Sequence, residues 1–205
     1  AKLDPISAMA YWGMAMANVN NDKRAKGFIK HAVDRKEKAG IREKLWIEAL
    51  AEYYKDDKKE NKQKRRDFVR ALENIIQEYP GDLEAKAFLA YKIWDNAGRD
   101  LPITSHQAVD TLIEEVLKVA PMHPIHHYRI HLWDGEKPKR ALDSAAKCGQ
   151  SAPGIAHMWH MSGHIFSKLN RYQDAAWQQE AGTRVDHAHM VRDRVLPDQI
   201  HNYAH

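Results

Sequence analysis

His157, His160 and His164 stand at i, i+3 and i+7. On an α-helix that spacing brings them within roughly 60° of one another, at about 100° per residue. His127/His131 and His201/His205 add two pairs at i, i+4, and eleven of the chain's 13 histidines fall between His123 and His205. Imidazole is the side chain that most often ligates a transition metal or carries a proton near neutral pH. Three neutral imidazoles with water or a carboxylate make a common zinc arrangement, and imidazole also suits copper, iron and nickel. The metal ligands are therefore sought among His127, His131, His157, His160, His164 and His205. Met158, Met161 and Met190 would add thioethers that favour cuprous copper. Asp134, Asp186 and Asp193 offer carboxylates, either as ligands or as acceptors that fix imidazole tautomers. The competing reading needs no metal: the imidazoles hydrogen-bond one another, aromatic rings or a peptide backbone. The i, i+3, i+7 spacing also describes a packed helix face, and no HExxH signature occurs, so both readings stay open.

Positioning these side chains requires helices, and the chain supplies the pattern for them. Apolar residues recur every three or four positions, interrupted by Pro, Gly and Asn, and almost no segment alternates as a strand would. The periodicity predicts helices over 7–18, 22–39, 42–54, 62–79, 83–94, 105–119, 124–133, 138–148, 155–169 and 172–186, with another from about 193 onward. Thr104 and Ser105 suit N-caps, and Pro124 and Pro138 suit a first helical turn. Ala108, Ala141 and Ala175 recur at 33 and 34 residues, and Pro80, Pro121 and Pro153 close three successive units. The clearest unit runs Trp159, Gly163, Phe166, Asn170, Tyr172, Ala175: aromatic, small, aromatic, turn, aromatic, small. Gly163 and Ala175 would let two helices approach closely while the aromatic rings fill the space around them. Tyr11 through Ala25, Ile29 and Ala32 repeats that logic with a shorter turn.

These residues make the chain resemble a tetratricopeptide-repeat (TPR) protein along nearly its whole length. A narrower likeness joins His126-His127-Tyr128-Arg129-Ile130-His131, Pro138-Lys139-Arg140-Ala141-Leu142, residues 157–164 and Tyr172-Gln173-Asp174-Ala175-Ala176. It is similar to a group of poorly characterised bacterial TPR proteins, some joined to a thioredoxin-like domain, with HHYxIH and HMxxxH segments. Where that group carries Pro in the second motif, this chain has Met161 or Ser162. The resemblance implies an all-α solenoid of about five antiparallel helix pairs in a right-handed superhelix, forming one repeat domain over residues 1–205. Residues 1–80 would be degenerate repeats and 81–205 the better-defined, histidine-rich ones.

In such arrays the first helix of each pair lines a concave groove where peptides usually bind. With Trp159 as the fourth position of its unit, the resemblance puts His157, His160 and His164 in the groove, with His123 and His126 at matching positions one unit earlier. His201 joins them on the final helix. Neighbouring first helices pack about 10 Å apart, so imidazoles of successive units can converge.

Composition narrows the classes. The charged fraction is 29% and the hydrophobic fraction 43%, which suits a soluble globular chain. No apolar run approaches the roughly 20 residues of a membrane span. A net charge of +4 does not argue for nucleic acid. One cysteine, Cys148, excludes an intrachain disulfide and a cysteine-based zinc site, and its small-residue surroundings read as a packed thiol rather than a nucleophile. The charged run over 55–66 reads as a solvated loop and helix start, and most of the six tryptophans as inter-helix packing. The ends look cut, so a neighbouring segment is expected and the compartment is not read.

The primary expectation is a binding module for a peptide, a partner protein or a small ligand, rather than an enzyme. The alternative is a protein that binds zinc, copper or iron, or a metal-dependent enzyme. Self-association through exposed solenoid ends is a third possibility.

Overall fold

The computed structural model describes residues 3–56 and 58–200. Ten α-helices follow one another among them: α1 (Ala8–Met16), α2 (Asp22–Val33), α3 (Ile41–Lys55), α4 (Asn61–Glu78), α5 (Leu83–Ala97), α6 (His106–Val119), α7 (His126–Trp133), α8 (Leu142–Ser151), α9 (Ala156–Lys168) and α10 (Tyr172–Asp193). No strand occurs among the described residues, and no helix there is long and apolar enough to cross a membrane. Short polar side chains start several helices by accepting from a backbone N–H three residues on: Ser7 from Ala10, Asn21 from Arg24, Asp82 from Ala85 and Ser105 from Ala108. Each satisfies a donor that the first helical turn leaves without an intrahelical partner.

The chain divides into two compact units, residues 1–102 and 103–205. In the first, α1 packs on α2, α2 on α3, α3 on α4 and α4 on α5, while α1 also reaches α3. The rings of Trp12 (α1), Trp46 (α3) and Phe88 (α5) meet there at centroid distances of 5.2–5.7 Å. The Trp12 indole N–H donates to the Trp46 carbonyl at 3.1 Å.

In the second unit α6 packs on α7, α7 on α8, α8 on α9 and α9 on α10, and the two first helices α7 and α9 touch directly. Its core holds Ile113, Val116, Ile130, Leu132, Trp133, Ala145, Cys148, Ile165 and Phe166. A fully buried carboxylate, Asp110 of α6, fixes α7 by accepting from Arg129 Nε at 2.8 Å, and it also accepts from Arg140 Nη2 at 3.2 Å. The Arg140 guanidinium lies over the Trp133 ring, 4.3 Å from its centroid.

Several boundaries differ from those read in the sequence. The helix expected to end at Asp186 continues to Asp193. Nothing in its sequence breaks it, and Gly182 lets it pass close to the Ala156 carbonyl of α9. It stops at Arg194, whose left-handed backbone (φ 56°, ψ 43°) caps it. A 3-10 turn over Pro197–Gln199 follows instead of the helix expected from about 193. Pro138 opens a 3-10 turn, Pro138–Ala141, ahead of α8. α2 ends at Val33, and a 3-10 turn over Lys36–Lys38 replaces its expected last turn. In the best repeat unit Tyr172 is 64% exposed, its hydroxyl donating to Asn170 Oδ1 at 2.7 Å, so it does not fill the space beside Gly163. Trp177 is 56% exposed and meets Trp159 edge-on at 5.7 Å.

Candidate histidine site

Five imidazoles line the adjoining faces of α7 and α9: His127 and His131 from the first, His157, His160 and His164 from the second. They form a chain of ring contacts. His127 Nε2 and His131 Nε2 are 3.1 Å apart, and the His127 and His157 ring centroids are 5.0 Å apart. His157 stacks on His160 at 5.8 Å. His160 Nε2 and His164 Nε2 are 2.9 Å apart. Beyond them, Asp134 Oδ2 lies 3.7 Å from His164 Nδ1, and Lys168 Nζ pairs with Asp134 Oδ1 at 3.0 Å.

Hydrogen bonding settles the proton positions along part of this chain. Gln179 of α10 donates its Nε2–H to the His160 carbonyl at 3.1 Å, which orients the amide so that Oε1 faces His160 Nδ1 at 2.9 Å. An amide oxygen only accepts, so His160 carries its proton on Nδ1. The neutral ring then accepts at Nε2 from His164 Nε2–H. Gly163 makes room for this arrangement, because a Cβ at that position would overlap Gln179 Nε2. The small residue of the repeat thus protects the amide that fixes a histidine tautomer.

Burial keeps the α7 pair neutral. It pushes His127 down to about 3, with His131 and His157 adding to the effect. It pushes His131 down to about 4, with His157 and His164 adding and Asp134 opposing. Neutral imidazole is the form that ligates a metal. One nitrogen from each of His127, His131 and His157 lies within 4.8 Å of the other two. Tetrahedral zinc, with Zn–N of about 2.0–2.1 Å, separates its nitrogens by roughly 3.3 Å. Modest ring rotation would therefore bring this trio to ligand spacing.

The structure does not bring together every residue singled out from the sequence. His126, expected in the groove, is 1% exposed and points toward α8. Its Nε2–H donates to the Pro121 carbonyl at 2.9 Å, and its Nδ1 is 3.0 Å from Ser144 Oγ. The reason is register. An offset of 33 residues carries His127 onto His160, His131 onto His164 and His126 onto Trp159, whereas the expected groove register matched His126 to His160. The same offset matches buried Leu132 and Trp133 to buried Ile165 and Phe166. His123 accepts at Nδ1 from the Ile125 backbone N–H at 3.0 Å, at the entry to α7. His201 and His205 lie outside the described residues.

Met158 and Met161 are buried core residues. Asp186 is buried in α10, and Asp193 sits at the end of that helix, bonded to His189 Nδ1 at 2.6 Å. Cys148 is buried, which pushes its thiol up to about 12 despite the Ser162 hydroxyl, and so it is a packed thiol. Sequence reasoning missed Gln179 and the Asp110–Arg129–Arg140 cluster. The 33-residue offset would have exposed the true pairing of histidines, but no local signal marks Gln179, which acts 19 residues from its partner.

No family model and no curated protein matches the sequence. Solved structures do match its fold. MamA from Desulfovibrio magneticus RS-1 (residues 41 to the end) superposes with a TM-score of 0.56 at 14% identity, over 88% of this chain and 96% of that one. MamA of MSR-1 gives 0.54 at 11% identity, over 87% and 94%. YrrB, described as a TPR protein with an unusual peptide-binding site, gives 0.51 at 12% identity, over 92% and 91%. With its helix pairs, its side-by-side first helices and these neighbours, the chain is an all-α helical repeat of the tetratricopeptide type.

Proposed function

We propose that this protein is a binding scaffold, and that the histidine face of α7 and α9 is where its C-terminal unit takes a peptide or protein segment. One observation carries the reading: five imidazoles from consecutive first helices form a continuous chain of ring contacts, with His127, His131, His157 and His164 partly exposed and His160 buried among them. First helices line the binding groove in the repeat family, and YrrB is described as having a peptide-binding site. Imidazoles can both donate to and accept from an extended peptide backbone. Asp134 and Lys168 at the edge of the face offer a carboxylate and an ammonium for charged side chains.

The test is a peptide-display selection on the wild-type chain, repeated with the His157→Ala/His160→Ala/His164→Ala variant. Selected peptides should lose at least tenfold in affinity for the variant, about the effect of two or three lost hydrogen bonds. Peptides that bind both proteins equally would place recognition elsewhere and overturn the reading.

A second reading rests on a separate observation, the mutual 4.8 Å spacing of nitrogens from His127, His131 and His157. Here the face holds a transition metal, with zinc, copper or iron as candidates, and the three imidazoles as ligands. Tag-free protein purified without chelators should carry near-stoichiometric metal by mass spectrometry, and His127→Ala/His157→Ala should lose it. A chain that neither carries metal nor takes up added zinc or copper removes this reading and leaves the scaffold.

A further inference from the structure

The charged run over 55–66 does not lie wholly in solvent. Arg65 turns inward to line a cavity of about 300 Å³ between α1, α3, α4 and α5 of the first unit. Lys92, Asp95, Asn96 and Arg99 from α5 and its end share that cavity, with the rings of Tyr53 and Tyr91 on its wall. Three cations there meet one carboxylate. Asp95 Oδ2 is 3.5 Å from Arg65 Nη1 and 3.4 Å from Lys92 Nζ, and Oδ1 is 3.4 Å from Arg99 Nη2. All three contacts are long for charge-assisted hydrogen bonds, which run about 2.7–2.9 Å.

Each guanidinium has five N–H donors and the ammonium three. Facing them among the described residues are the two oxygens of Asp95, Asn96 Oδ1, which accepts from Arg65 Nη1 at 3.4 Å, and the Tyr91 ring, whose centroid lies 4.5 Å from Lys92 Nζ. The side chains of Arg65, Lys92 and Asp95 are each under a fifth exposed, at 16%, 15% and 17%, so water screens them little. Burial pushes the Lys92 ammonium below its usual range. Asp95 opposes the shift without cancelling it, and Arg65 and Arg99 add to it. The local charge balance is positive.

We propose that this cavity binds a small phosphate monoester, its phosphate held by Arg65, Lys92 and Arg99 and its apolar body resting against Tyr53 and Tyr91. Three cations less one carboxylate leave two positive charges, which match a phosphate monoester near neutral pH. Planar guanidinium groups can each meet two phosphate oxygens at once. The volume lies at the small end of ligand cavities and suits a phosphate with one ring-sized body. The ester could be a free small molecule or a phosphorylated side chain of a peptide. The site is independent of the histidine face.

The experiment is calorimetric titration of the full chain with phenyl phosphate, beside phenol, inorganic phosphate and a phosphotyrosine peptide. Phenyl phosphate should bind saturably, more tightly than inorganic phosphate, and phenol should not bind. Arg65→Gln and the half-exposed Arg99→Gln should each weaken it about tenfold, the effect of losing a charged hydrogen-bonding partner. Asp95→Asn should tighten it several-fold by removing the competing carboxylate, a gain that a damaged fold could not produce. Circular dichroism of each variant separates lost binding from lost structure. A phosphotyrosine peptide that binds as tightly as phenyl phosphate assigns the ester to a peptide side chain, and a weaker one assigns it to a free small molecule. Absence of saturable binding at millimolar phenyl phosphate, or affinity unchanged in both arginine variants, overturns the proposal. Equal affinity for inorganic phosphate overturns the part played by the rings.

Discussion

The two units place different chemistry at the same structural position. In residues 1–102 the first helices α1, α3 and α5 meet through Trp12, Trp46 and Phe88, with centroids 5.2–5.7 Å apart. In residues 103–205 the first helices α7 and α9 meet through imidazoles, with His157 5.0 Å from His127 and 6.5 Å from His131 between centroids. Indole and phenyl rings gain from burial itself, and their contacts have no dependence on protonation. Imidazoles gain less from burial and supply lone pairs and protons, so their contacts depend on which nitrogen holds the hydrogen. The repeat frame sets which side chains become neighbours. The residue type then decides whether the contact serves stability or recognition.

Removing one member from each cluster tests that contrast most directly. Trp46→Ala should cost the first unit about 3–5 kcal/mol, the range for deleting a large buried ring, measured by denaturant unfolding. The loss should hardly vary with pH. The second unit should behave differently in acid. Unfolded imidazoles protonate as pH falls through about 6.5, while folded His127 and His131 resist until about 3 and about 4. The unfolded state therefore binds more protons over that window. Stability present above about pH 6.5 should decline as pH falls, the His131 share levelling off near pH 4 and the His127 share near pH 3, by at most about 1.4 kcal/mol per pH unit for each imidazole. His127→Gln/His131→Gln should flatten the slope. A slope unchanged in that variant would mean that other groups cause the acid sensitivity.

Much of this was legible in the chain because it is written in local spacing. Helix periodicity, Ser105 as a cap and the recurrence of Ala108, Ala141 and Ala175 depend on residues a few turns or one repeat apart. The histidine face was legible as a set of residues, but its register was not. Matching His126 to His160 put a buried residue in the groove, and the 33-residue offset shows His126 occupying the place of Trp159. Features that depend on long-range partners left no sequence trace. Asp110 looks like an ordinary helix residue until Arg129 and Arg140 close on it. Arg65 looked like part of a solvated charge run, and only the folded chain turns it toward Asp95.

Smaller perturbations sharpen the comparison. Gly163→Ala would force Gln179 away from His160, at a cost of about 1–3 kcal/mol for overpacking. The diagnostic is the tautomer rather than the stability. In wild type, nitrogen NMR should report a protonated Nδ1 on His160, and in the variant that preference should relax toward a mixture. A preference that persists would show that Gln179 does not set it.

The smallest expected change in stability is at His157. This residue is only partly buried and touches His127, His131 and His160 through ring contacts. Its removal leaves no deep cavity, so His157→Ala should cost under about 1 kcal/mol. The same substitution deletes the nitrogen that α9 contributes beside the α7 pair, so binding at the face should suffer far more than folding. Trp46→Ala should show the reverse balance, a large loss of stability with no direct effect on that face. If His157→Ala instead destabilises the chain as much as Trp46→Ala, the imidazoles are core residues in all but name, and the contrast between the two clusters fails.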